Sequence, residues 1–189
     1  MNAPSPALSA RVAALAVVAV IVQVAAVSQI SVLGINADLA PLVVAGIGLL
    51  IGSLPGAIVG FGVGLFLDLL LVQTLGISSL IYLLVGFWAG RLRELRDPQA
   101  TLVPLAIGAL ATAAATIGFS LIQFLLGVDA PVSFELVRQI VATIVVNTLI
   151  ALPVFALVRR WLEPALPDDP RRRRRRAYTT GGLSPLSRS

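Results

Sequence analysis

The sequence predicts an all-α polytopic membrane protein of about six transmembrane helices, and three observations carry that prediction. The chain of 189 residues is 58% hydrophobic, with a mean hydropathy of +0.97, a balance that suits a bilayer better than a soluble domain. Nearly all apolar residues lie between Arg11 and Trp161, in runs separated by short polar or Gly/Pro breaks. Threaded through six spans, the arginines of the short loops collect on one side. The expected organisation is a short cytoplasmic N-terminal tail (1–11), a six-helix membrane domain (12–162) and a disordered, cytoplasmic Arg-rich tail (163–189).

A hydrocarbon core about 30 Å thick calls for roughly 20 apolar residues per spanning helix. The first candidate covers 12–33. Arg11 ahead of an apolar run, with Ala25, Ala26 and Ser28 downstream, has the outline of a signal peptide. Nothing after it resembles an exported soluble domain, so it is read as a span. Residues 34–38 form a short turn, and a second, short helix covers 39–53. Pro41 suits the first turn of that helix, where a missing N–H costs little. Leu54, Pro55 and Gly56 break the run. A third helix then covers 57–73, which makes helices two and three an antiparallel hairpin. Residues 74–76 turn the chain into a fourth helix over 77–90. The polar loop with Arg91, Arg93 and Arg96 follows, then a fifth helix over 101–126. A turn at 127–132 leads to the sixth helix, 134–162, which Pro153 kinks.

Six spans place both termini with the loop at Arg91, Arg93 and Arg96. Arg11, Arg159 and Arg160 join them, against Asp38, Asp129 and Glu135 on the other side, where Arg138 is the one basic residue. The positive-inside rule then makes both termini cytoplasmic. Trp88 and Trp161 fall near cytoplasmic helix ends as interface anchors. Beyond the last helix stand Arg171, Arg172, Arg173, Arg174, Arg175 and Arg176. A basic run so close to a membrane helix points to anionic lipid headgroups, at about 1 kcal/mol per Arg, rather than to nucleic acid.

Several chemistries are excluded by composition. The chain has no His and no Cys, and all 14 of its basic residues are Arg. Thiol and Ser-His catalysis, disulfides and His/Cys metal sites are therefore ruled out. The glycines at 60, 62 and 64 lack the Lys of a phosphate-binding loop. No catalytic residue, cofactor or metal site is expected.

The functional signal is a ladder of small residues. Gly48, Gly52, Gly56, Gly60 and Gly64 recur at intervals of four, and Asp68 takes the next step. Residues at i and i+4 share a helix face, so Gly60, Gly64 and Asp68 form one stripe. Glycines admit close backbone approach between membrane helices. A carboxylate at that depth is a functional-site hypothesis with Arg138 as its natural partner, or else a contact that fixes the bundle. Gln23, Gln123, Gln139 and Asn147 are read as interhelical hydrogen-bonding amides. Glycines 48 and 52 are placed to meet the glycine face of helix three.

Residues 60–68 also match the pattern G-F-x-x-G-L-x-x-D through Gly60, Phe61, Gly64, Leu65 and Asp68. The stretch beginning Leu75, Gly76 and Ile77 follows at the expected distance, and Pro41 opens the second helix. Together these resemble MreD, the rod shape-determining membrane protein family of bacteria, most clearly over residues 41–91. The resemblance implies a non-enzymatic subunit of the elongation machinery that acts with MreC and with the RodA–penicillin-binding-protein pair in lateral peptidoglycan synthesis. It also implies a fold similar to S components of energy-coupling-factor vitamin transporters. The alternative function is therefore a substrate-binding subunit of such a transporter, which demands a polar-lined cavity open to the outside. The Arg-rich tail departs from the family pattern.

Overall fold

In the computed structural model, which describes residues 5–27, 31–32, 35–95, 102–127 and 134–166, six α-helices pack into one bundle. Helix α1 (Pro6–Val22) opens behind Ser5, whose side-chain oxygen accepts the Leu8 N–H. Its end widens into a π-helical turn, Gln23–Val27. The link to the next helix holds two antiparallel two-residue strands, β1 (Ser31–Val32) and β2 (Ile35–Asn36), with Val32 opposite Ile35. Helix α2 (Leu39–Ile51) is capped by the Asp38 carboxylate, which accepts the Ala40 N–H. Then come α3 (Ser53–Leu70), α4 (Ile77–Leu95), α5 (Leu102–Leu125) and α6 (Phe134–Leu162), followed by a 3₁₀ turn, Glu163–Ala165.

Among the described residues, α1 with its π turn, α3, α5 and α6 are long and apolar enough to cross a membrane. Helices α2 and α4 are shorter apolar segments. At 1.5 Å per residue, α2 reaches about 20 Å. Its brevity has a structural cause. Every residue from Ala40 to Leu49 is buried, so α2 is the central rod of the bundle, touched by the other five helices.

Several boundaries differ from those expected; the first helix already starts at Pro6, not 12, and the third ends at Leu70, not 73. The first helix ends at Val27, not 33, because the chain leaves it for the β1–β2 hairpin. The break between α2 and α3 falls at Gly52, not at 54–56. Gly52 takes φ 108° and ψ 177°, a backbone state that favours glycine, and Pro55 sits harmlessly in the first turn of α3. Helix α4 runs on to Leu95, past the expected end at 90.

The core has two parts. Leu42, Val44 and Ala45 of α2 pack with Leu67, Ile81, Ile107 and Phe155 at the centre. Leu8, Val12, Ile47, Val158 and Leu162 form a second cluster where α1 begins and α6 ends. There the Arg11 guanidinium donates to the Trp161 carbonyl at 3.1 Å, and the Trp161 indole donates to the Arg11 carbonyl at 3.3 Å. The arginine-bearing ends of α1 and α6 thus meet at one end of the bundle.

Candidate functional site

The glycine stripe is a seam between α3 and α4. A Cβ added at Gly64 would stand 2.4 Å from the Ser78 carbonyl, and one at Gly60 2.0 Å from the Tyr82 carbonyl. A Cβ at Gly56 would stand 2.5 Å from the Gly86 carbonyl, and one at Gly90 2.3 Å from the Ser53 nitrogen. Partner numbers rise as the α3 numbers fall, so the two helices run antiparallel in backbone contact. Gly48 of α2 enters the same seam, its absent Cβ 2.5 Å from the Gly86 carbonyl. The partner of the ladder is therefore chiefly α4, through Gly86 and Gly90, and not α2 alone. Backbones this close leave no space for lipid, and the packing itself holds the pair.

Asp68 continues the stripe and is fully buried. Its Oδ2 accepts the Gly76 N–H at 2.8 Å, which ties the end of α3 to the start of α4. Its Oδ1 is buried without a hydrogen-bond partner. The expected Arg138 contact is replaced by this turn-closing bond, and Arg138 stands exposed on α6. The reason is local: the turn brings Gly76, at φ 98°, back over the carboxylate.

A second polar centre gathers at the start of α2. The Asn147 Oδ1 accepts the Asp38 N–H at 3.1 Å, and its Nδ2 donates to the Asp38 carbonyl at 2.8 Å and to Thr112 Oγ1 at 3.2 Å. Gln23 Oε1 accepts the Leu39 N–H at 2.8 Å, and the Tyr82 hydroxyl donates to Asp38 Oδ2 at 3.2 Å. Side chains from α1, α4, α5 and α6 thus converge on the first backbone groups of α2. These groups need partners because a helix N-terminus buried in an apolar bundle has no water to satisfy it.

Beside this centre lies a cavity of about 280 Å³. Gln23, Asp38, Tyr82, Thr116, Ser120 and Gln139 supply polar groups to its wall, and Leu67, Ile81, Phe119 and Ile140 supply apolar ones. Gln73 of the α3–α4 turn and Leu136 at the start of α6 border it, at the end of the bundle away from Arg11 and Trp161. The structure assembles these polar groups from five separate segments.

The family described as rod shape-determining protein MreD matches residues 9–161. The chain belongs to the MreD family. No curated protein and no solved structure matches it. The MreD family is a shape-determining one and not a known enzyme family, and its members belong to the membrane-bound shape-determining machinery. Within this MreD-family chain, Gly60, Gly64, Asp68 and Gly76 of the sequence pattern come together along α3 and its turn into α4. Phe61 points outward on the exposed face of α3. Pro41 is buried in the first turn of α2, next to the polar centre around Asn147. Arg138 joins neither group. Arg171 to Arg176 lie outside the described residues, as do Arg96, Asp129 and Arg188. Gln23 and Asn147 make interhelical hydrogen bonds as expected, whereas Gln123 Oε1 is buried without a partner. Sequence reasoning missed Asp38, Tyr82 and Thr112 as parts of one network. The available signal was a capping Asp directly ahead of a short, wholly apolar helix.

Proposed function

We propose that this chain is a non-enzymatic integral membrane subunit of the bacterial cell-wall elongation machinery, scaffolding lateral peptidoglycan synthesis and maintaining cell shape. The observation that carries this reading is the family match across residues 9–161. A bundle held by backbone contact and internal hydrogen bonds suits a rigid scaffold, since packed interfaces of this kind resist gradual deformation. Its partners are an MreC-like protein and the RodA–penicillin-binding-protein pair, engaged through the apolar outer surfaces of the bundle. It resides in the cytoplasmic membrane with both termini inside. That orientation is supported by Arg11, Arg159 and Arg160, which share the end of the bundle where α1 begins and α6 finishes.

Co-purification in mild detergent tests the scaffold. A folded, tagged chain should recover an MreC-like protein or the synthase pair, and repeated recovery of neither would overturn the reading. The Arg171–Arg176 run is assigned to anionic headgroups of the inner leaflet. Replacing all six with Gln should leave a C-terminal reporter cytoplasmic, because Arg91, Arg93, Arg96, Arg159 and Arg160 already set the orientation. Loss of cell shape with topology intact would instead mark the run as a docking site for a cytoplasmic partner.

A further inference from the structure

We propose that the cavity beside Asp38 binds a primary ammonium group, presented either by a small soluble amine or by an aminophospholipid headgroup. This assignment rests on the cavity alone and stands apart from the shape-determining role.

The wall carries one acidic side chain and several groups able to accept a hydrogen bond. The Tyr82 hydroxyl spends its proton on Asp38 Oδ2, and Thr116 Oγ1 spends its own on the Thr112 and Ala113 carbonyls. Those two oxygens have only lone pairs left to offer. Asp38 adds a carboxylate that lines the cavity and is held by Tyr82 and by the Ala40 N–H at 3.3 Å. No arginine lines the cavity among the described residues. An anion would thus meet negative charge and no basic side chain. An ammonium carries three donors and no acceptor, which suits the Asp38 carboxylate and the Tyr82 and Thr116 oxygens, while the glutamine amides and the Ser78 and Ser120 hydroxyls of the wall can turn an oxygen toward it.

Burial strengthens the argument. Carboxylates enclosed in a low-dielectric bundle need a compensating positive charge or further hydrogen bonds. Asp38, the carboxylate of the cavity wall, has two such bonds, from the Tyr82 hydroxyl and the Ala40 N–H, which leaves it room for a third donor. The volume of about 280 Å³ lies near the lower bound of roughly 300 Å³ for small-molecule sites. Phe119, Ile81 and Ile140 offer an apolar flank to the carbon stem of the amine. The cavity meets the surface beside Gln73 and Leu136, at the end of the bundle opposite the Arg11–Trp161 clasp.

The test uses the full chain, purified in lipid-free mild detergent, with melting temperature as the readout at constant ionic strength. Ethanolamine is compared with ethylene glycol, its uncharged isostere. Phosphatidylethanolamine is compared with phosphatidylglycerol. Ethanolamine or phosphatidylethanolamine should raise the midpoint by at least about 3 °C, with ethylene glycol and phosphatidylglycerol inert. A response to ethanolamine identifies a soluble amine as the source, and a response to the aminophospholipid alone identifies the headgroup. Asp38→Asn should weaken the apparent affinity at least tenfold. Because Asp38 also caps α2, Ser120→Leu provides a second variant that fills the cavity without touching that cap. It too should cost at least tenfold. Equal stabilisation by the uncharged or anionic probe overturns the proposal. So does silence from both ammonium probes, or an ammonium response that Ser120→Leu leaves unchanged.

Discussion

Gly60→Ala adds one methyl group to the α3–α4 seam, and its consequence follows from geometry. The new Cβ would lie 2.0 Å from the Tyr82 carbonyl oxygen and 2.6 Å from its carbon, where ordinary contact begins at 3.4 Å. The obstacle is backbone, so no side-chain rotation relieves it. The helices must part by about 1.4 Å, and contacts at Gly56–Gly86 and Gly64–Ser78 open with them. A gap of 0.5–1 Å already forfeits about a quarter to a half of each dispersion contact. Overpacking typically costs about 1–3 kcal/mol, and this case belongs at the upper end, near 3 kcal/mol. Gly62→Ala is the matched control. It lies on the same helix but faces outward, with nothing within 4 Å of its added Cβ. By helix propensity alone it should be neutral or stabilising by up to about 1 kcal/mol. Reversible unfolding of both variants in mixed detergent micelles gives the comparison. Gly60→Ala as stable as the parent, or Gly62→Ala equally damaged, would refute the seam.

Three further substitutions probe the polar groups and the turn. Asn147→Leu leaves the Asp38 N–H and carbonyl without partners in a water-poor interior and should cost about 2 kcal/mol, measured by the same unfolding assay. Asp68→Ala strands the Gly76 N–H and should destabilise by about 1–3 kcal/mol while leaving membrane insertion intact. Asp68→Asn keeps an acceptor and should recover most of that loss; equal damage by both would show that the charge, not the bond, matters. Val72 ends α3 at φ 52° and is 90% exposed, with the Gln73 N–H reaching back to the Asp68 carbonyl. Glycine is the usual residue at such a helix end, so Val72→Gly should raise the thermal midpoint, by about 1 kcal/mol of stability.

The outer positions of α3 explain why so much of the fold is legible in the chain. Gly60, Gly64 and Asp68 are buried while Phe61, Leu65 and Leu69 are exposed, a helical face that spacing alone reveals. The α2–α3 break was less legible. A proline attracts attention as a breaker, yet Pro55 is tolerated in a first turn and Gly52 supplies the bend. The Asp68 partner was misjudged for a related reason. Opposite charge suggested Arg138, but the nearest unsatisfied donor was the Gly76 N–H, eight residues along the chain.

Hydropathy, glycine periodicity and the sorting of arginines suffice to establish an all-α membrane bundle, its helix count and the face on which α3 packs. These are properties of single segments in a bilayer, where each helix satisfies its own backbone hydrogen bonds. Which segment lies at the centre is a collective outcome. Helix α2 is enclosed because Gln23, Asn147 and Tyr82, from three other helices, meet at its first turn. Asn147 stands 109 positions from Asp38, and no local pattern links the two. The cavity has the same origin: its wall is drawn from segments far apart in the chain, and only their packing brings the polar groups together.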